Sequence, residues 1–278
     1  MKNTLILAVL LFSIKTITAQ DTKSYYQKEA IIFLGPSYTN IRSNSLSSDQ
    51  YANTQGSVWF NLGFSYCKYA NKNIGFILGA EYSKYKNVTS YKGAYRKDTK
   101  SLDADGYFYY AVSEANYTDT RILNSLDVPL GIRLNTNISE QSFFYLDFGV
   151  MGNFILTSKI VQKGTLNKKG AYPHNVYDNV FFYIEDEPYY GFTNTTYNTD
   201  IEMPVNRVNA SVFFGVGLKA KLNENCFLVI NPCYTKGIND ITKKDATGDY
   251  VNIFGEKTAR QKFTLSQFVL KVGLGFEL

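Results

Sequence analysis

Residues 121–156, RILNSLDVPLGIRLNTNISEQSFFYLDFGVMGNFIL, decide how the chain is read. At period two the first half places Leu126, Val128, Leu130, Ile132 and Leu134 on one face and Asp127, Pro129, Gly131 and Arg133 on the other. After a polar turn over 135–141 the pattern returns. Phe144, Leu146, Phe148, Val150 and Phe154 share a face, opposite Tyr145, Asp147, Gly149, Met151 and Asn153. Strict alternation marks strands with two different environments, and a short turn between two such runs is a hairpin. The polar face is small or charged rather than a ragged solvent face. An apolar side toward lipid and a polar side toward a narrow lumen suit a transmembrane barrel.

Working outward, Met1 to Ala19 carries Lys2, an apolar run from Leu5 to Phe12 and a small residue before Gln20. This predicts a cleaved secretory signal, since the apolar run is too short to span a bilayer. Residues 20–278 then form one outer-membrane barrel domain. Lys2 and Lys15 leave with the signal, taking the 29 Lys+Arg to 27 against 24 Asp+Glu. So mild a balance does not point to nucleic acid. Past the signal, no run reaches the ~18 apolar residues of a membrane helix. The 23 Tyr and 20 Phe fit aromatic girdles. Cys67, Cys226 and Cys233 are an odd set without a CxxC pair and read as small packing residues.

The remaining strands follow the same template. Ala30–Ile41 is the first, with Pro36 needing an edge, bulge or strand-end site. Ser57–Tyr69 sets Val58, Phe60, Leu62, Phe64 and Tyr66 against Trp59, Asn61, Gly63, Ser65 and Cys67. Further strands cover Ile74–Lys86, Asn206–Leu222, Cys226–Lys236 and the C-terminal segment. The expected fold is all-β, an eight-stranded antiparallel transmembrane barrel. Its connections alternate long and short: loops at 42–55, 87–119, 157–205 and 237–260, tight turns at 70–73, 135–141 and 223–225. Short periplasmic turns and long extracellular loops are the pattern of outer-membrane barrels.

The LGPSY of the first strand, the mid-chain LDVPLGIRL and the terminal LKVGLGFEL resemble the PorT-like outer-membrane β-barrel family of Bacteroidetes. Leu126, Asp127, Val128 and Pro129 match that family's mid-chain segment. The resemblance implies an outer-membrane location and an eight-stranded barrel, without one assigned activity; PorT itself is linked to protein secretion. The long aromatic third outer loop departs from the family pattern.

Assigning the polar face to the lumen gathers Glu81, Asp127, Arg133, Asp147, Lys219 and Lys271 inside, with Glu277 near the periplasmic end. A lumen this narrow holds side chains and little else, so these charges are expected to pair and plug it. The alternative is a gated polar path. The third outer loop carries Tyr177, Phe181, Phe182, Tyr183, Tyr189, Tyr190 and Phe192, a candidate contact surface for a partner or ligand. Those rings could equally pack over the barrel mouth, or extend strands at Val180–Ile184. The sole histidine, His174, has no GxSxG serine to partner, and no metalloprotease, P-loop, dinucleotide or EF-hand motif occurs. The expectation is a non-enzymatic barrel without metal or cofactor, surrounded by outer-membrane lipid. An extracellular ligand or secretion-system partner completes it. A narrow transport or secretion-accessory barrel is the second reading, and a lipid- or peptide-acting barrel enzyme the third.

Overall fold

The computed structural model describes residues 28–43, 52–137, 141–172, 182–190, 192–243 and 262–278; the side chains of 43, 52, 95–99, 137, 182 and 183 lie outside the description. The signal segment, His174, Tyr177 and Phe181 fall outside it, as do the side chains of Phe182 and Tyr183. Ten strands are described: β1 (Lys28–Ser43), β2 (Ala52–Tyr69), β3 (Ile74–Leu102), β4 (Phe108–Asn137), β5 (Ser142–Tyr172), β6 (Phe182–Glu185), β7 (Asn194–Glu202), β8 (Val208–Lys221), β9 (Cys226–Gly237) and β10 (Phe263–Glu277).

Eight of them pair in a closed antiparallel cycle. It runs β1–β2–β3–β4–β5–β8–β9–β10 and returns to β1. The lower half of β5 pairs with β8 through Phe154. Its upper half takes β7 along Lys159–Asn167 and β6 along Lys169–Tyr172 on the side β8 has left.

Two of the expected loops are largely strand. Much of 87–119 extends β3 and β4 into a tall hairpin closed by a turn at 103–107, and 157–205 contains the top of β5 together with β6 and β7. These stretches read as loops because their outward face is polar, so the outward apolar period disappears. Their inward face keeps it, with Tyr91, Ala115, Tyr117, Ile160 and Leu166 buried.

Bulges mark the height where the ring gives way to the tall sheet. The β2–β3 register shifts between Gly56 and Leu62, and the β4–β5 register shifts at Asn124/Ser125. The first bulge corrects one face assignment. Trp59, read as sharing the inner face, lies exposed with the Lys84 ammonium 3.8 Å above its ring. Pro36 lies at neither an edge nor a strand end: it sits mid-strand where the β1–β10 ladder skips Gly35 and Pro36 without changing register, so its missing N–H leaves no gap to fill.

Glycines on the inner face make room for rings. A Cβ on Gly217 would lie 2.1 Å from Tyr145 Cζ, and one on Gly275 2.1 Å from Phe227 Cε2. The small residues of the polar face are therefore the space into which the aromatic filling is laid.

Candidate functional site: lumen and outer sheet

The inner charges arrive from six strands. Near the short-turn end, Lys219 Nζ donates to both Glu29 oxygens at 2.7 and 2.6 Å and to Tyr69 Oη at 2.7 Å, while Tyr69 donates to Glu29 at 3.1 Å. Arg133 grips Asp147 with two parallel bonds of 2.7 and 2.8 Å, reaches Glu29 at 3.4 Å, and stacks 4.2 Å from the Tyr145 centroid. One step higher, Lys271 pairs with Glu81 and lies 4.6 Å over the Phe33 ring. Planar two-point Arg–carboxylate bonds are among the strongest such contacts, and they satisfy charges that could not remain buried alone.

Asp127 stands apart. It accepts from Tyr85 at 3.0 Å, Ser125 at 2.6 Å and Asn153 at 2.8 Å, and among the described residues no cation pairs with it. Ser211 in turn donates to Asn153. The structure thus brings together five of the six predicted lumen charges as ion pairs and holds the sixth with neutral donors. Glu277 pairs with Lys221 at 3.5 Å at the rim.

Between the Glu81–Lys271 and Arg133–Asp147 pairs lies an internal cavity of about 30 Å³, lined also by Tyr145 and Asn231. That is space for about two waters. Above the polar layer the interior becomes apolar. Ile41, Tyr85, Leu123, Ile155, Phe263 and Leu265 lead a buried cluster that also takes in Met203, Val205 and Ile241. An isolated bridge, Val205↔Thr242, holds the last three in place. Within this cluster Arg121 is buried, bonded to Thr89 at 3.0 Å and to Asp119 at 3.5 Å. Burial pushes the Asp119 carboxyl above its ordinary value, against the opposing pull of Arg121 and the hydrogen bond from Gln162.

The outer sheet carries the aromatic residues. Tyr91 stacks on Tyr117 at 4.6 Å, and Tyr117 meets Tyr197 at 5.4 Å. Phe192 is buried, edge-on to Tyr109 at 5.1 Å and seated over Gly170. Of the predicted contact residues, Phe192 therefore packs inward, whereas Tyr189 is 73% exposed and Tyr190 is half-buried. β6 occupies Phe182–Glu185, overlapping the stretch Val180–Ile184 where an added strand was one of the alternatives. Tyr190 donates to Asp105 at 2.7 Å, which pushes its hydroxyl up to about 12. At the turn, Asp103 accepts from Tyr172 at 2.7 Å and from the amides of Tyr107 and Asp105. Partial burial would raise the Asp103 carboxyl, but the Tyr172 bond and the turn amides outweigh it and hold it below its ordinary 3.8.

Three inner charges escaped the sequence reading: Glu29, Arg121 and Asp119, the last placed at the end of an expected loop. Glu29 lies one position before the expected start of the first strand, within a polar run; its parity with Ile31 and Phe33 was the available signal. Arg121 sat at an expected loop boundary. The three cysteines are free thiols, Cys67 and Cys233 buried.

No family model matches the chain and no curated protein does, so the PorT-like resemblance rests on the short motifs alone. Among solved structures the chain is similar to Ail, the attachment invasion locus protein of Yersinia pestis, in complex with the heparin analogue sucrose octasulfate. The two are 12% identical over 90% of this chain and 99% of that one, with a TM-score of 0.32. Neisserial surface protein A matches at 8% identity over 90% and 97%, TM-score 0.37. The outer membrane protease OmpT of Escherichia coli matches at 8% over 95% and 100%, TM-score 0.30. Superpositions this loose carry no functional argument.

Proposed function

We propose that the chain is a non-enzymatic outer-membrane β-barrel protein, exported through a cleaved signal, with a plugged lumen and an outer sheet that presents a contact surface. One observation carries this reading. The eight-strand cycle is closed, and its outward side chains, among them Ile32, Leu62, Phe76, Leu130, Val212 and Leu274, are exposed and apolar. A closed cycle leaves no unpaired edge to meet hydrocarbon. Buried inside it are Glu29, Glu81, Arg133 and Lys219. A soluble sheet protein has the reverse pattern.

The mature chain is expected to need detergent and to run as a heat-modifiable band. A soluble, monomeric mature chain in plain buffer would overturn the proposal. Protease treatment of intact cells is expected to cut near the 103–107 turn and spare 70–73 and 223–225; the opposite pattern would invert the topology.

A transport role is opposed by the lumen itself, with ion pairs below, an apolar stopper above and about 30 Å³ of space between the pairs. Planar bilayers holding the protein should be ohmically silent. The contact surface is best sought at the distal tip, where Tyr107, Phe108 and Tyr189 are exposed. The family placement proposed is the PorT-like one, on the LDVPLGIRL motif.

A further inference from the structure

The outer rim of the cycle is charged unevenly. At the rim beside β5, β7 and β8 two outward cations are matched: Lys159 pairs with Asp200 at 2.7 Å and Arg207 with Glu202 at 2.6 Å. Across β9, β10, β1, β2 and β3 they are not. Arg42, Lys86, Lys236 and Lys262 form no ion pair among the described residues, and Lys84 lies over Trp59. Residues 39–43, 52–58, 83–90, 234–238 and 262–268 contain no Asp or Glu. On β9's side, Asp240 accepts from the amides of Thr242 and Phe263.

Register gathers these cations into the band level with residues 262–267 of the last strand. Arg42 pairs across to Thr264, and Lys236 to Ser266 on the same strand. Lys262 is one same-face step beyond Thr264, a diagonal neighbour of Arg42. The Lys86 amide donates to Thr39 Oγ1 at 3.1 Å, which ties β3 to the same level. Directly below runs an aromatic row. Tyr234 pairs with Phe268, Phe268 with Tyr38 and Tyr38 with Val58, beside the outward Trp59. Below that lies only the apolar belt. Amphipathic rings take the level between hydrocarbon and headgroups, so the cations just above them stand where headgroup phosphates would be.

We propose that this sector is a binding site for a phosphate-bearing lipid of the outer leaflet, its phosphates held by Arg42, Lys236 and Lys262 and its acyl chains lying along the belt. The occupant follows from the unmatched positive charge and from its continuity with the apolar belt. A free anion would make no use of the belt. The inference rests on the barrel reading above.

The test uses the full mature chain extracted from membranes in mild detergent. Retention of a bis-phosphorylated glucosamine lipid and of its dephosphorylated form is read by native mass spectrometry. The wild-type chain is expected to keep the phosphorylated lipid, and inorganic phosphate should not displace it. The triple variant Arg42→Gln, Lys236→Gln, Lys262→Gln should lose roughly a hundredfold in retention, at about one fivefold step per cation near an anionic surface. The control Lys159→Gln, Arg207→Gln should retain lipid like the wild type. Equal retention by the triple variant, equal binding of the dephosphorylated lipid, or displacement by inorganic phosphate would each overturn the proposal while the heat-modifiable band persists. Loss of that band from the wild-type chain would instead sink the barrel reading and this site with it.

Discussion

Strand β4 carries two opposite patterns end to end. In its lower half the outward Leu126 and Leu130 are exposed and the inward Asp127 and Arg133 are buried. In its upper half the inward Ala115, Tyr117 and Leu123 are buried and apolar, while the outward Glu114 and Asn116 face solvent. The inward parity does not change: odd-numbered residues point in throughout. What changes is the medium outside. On the reading proposed above, hydrocarbon surrounds the lower half and water the upper. The same backbone therefore hides mainly charge below and mainly hydrocarbon above, where the Arg121–Asp119 pair is the buried exception. The two halves are held by different forces, ion pairing in a narrow lumen and apolar burial in the outer sheet.

The largest expected effect breaks the lower half. Arg133→Met leaves Asp147 buried without its two-point partner and takes one donor from Glu29. Removing one member of a buried pair costs about 3–5 kcal/mol, so denaturant unfolding in detergent should shift by that amount. The double variant Arg133→Met, Asp147→Leu should recover most of it, because nothing charged is then stranded. No recovery would mean that the pair holds the strands by something other than charge compensation.

Leu123→Ala should cost about 2–5 kcal/mol by leaving a cavity in the apolar cluster. Its signature is locality. Hydrogen exchange should quicken in the upper parts of β3, β4 and β5 and leave the belt unchanged. Uniform loosening would deny that the halves are separate units.

The smallest effect is a pH step at the distal turn. The Asp103 carboxyl is held below its ordinary 3.8 by the Tyr172 hydrogen bond and the turn amides. A depressed carboxylate contributes stability that is present above the unfolded value and lost as pH falls through the folded one. Amide protection at Ala171 and Tyr172 should therefore drop only below pH 3.8. The Tyr172→Phe variant should show a weaker baseline and a smaller step.

Legibility in the sequence followed the environment. In the belt, apolar and polar residues alternate because each side chain meets one of two contrasting media, so strands, faces and six of the lumen charges could be read directly. Above the belt, both sides of the loop-like stretches contain Tyr, Thr, Asn and Lys, and the sheet there is held by ring stacking such as Tyr91–Tyr117 rather than by an outward apolar face. Propensity alone does not separate such a strand from a long polar loop. Phe192 illustrates the same limit: its burial depends on Gly170, twenty-two positions earlier on β5.

By itself the sequence determined the all-β class, the hairpin order and the faces of the belt residues apart from Trp59 at the bulge, because a two-residue period is local and survives without any partner. Only the tertiary structure decided which charges meet. Glu29 and Lys219 are 190 residues apart, yet they bond because the first and last strands close on each other. The outer sheet and the unmatched rim of cations were decided there too. Both depend on register between strands, and register depends on the bulges and on closure of the whole cycle rather than on any one segment.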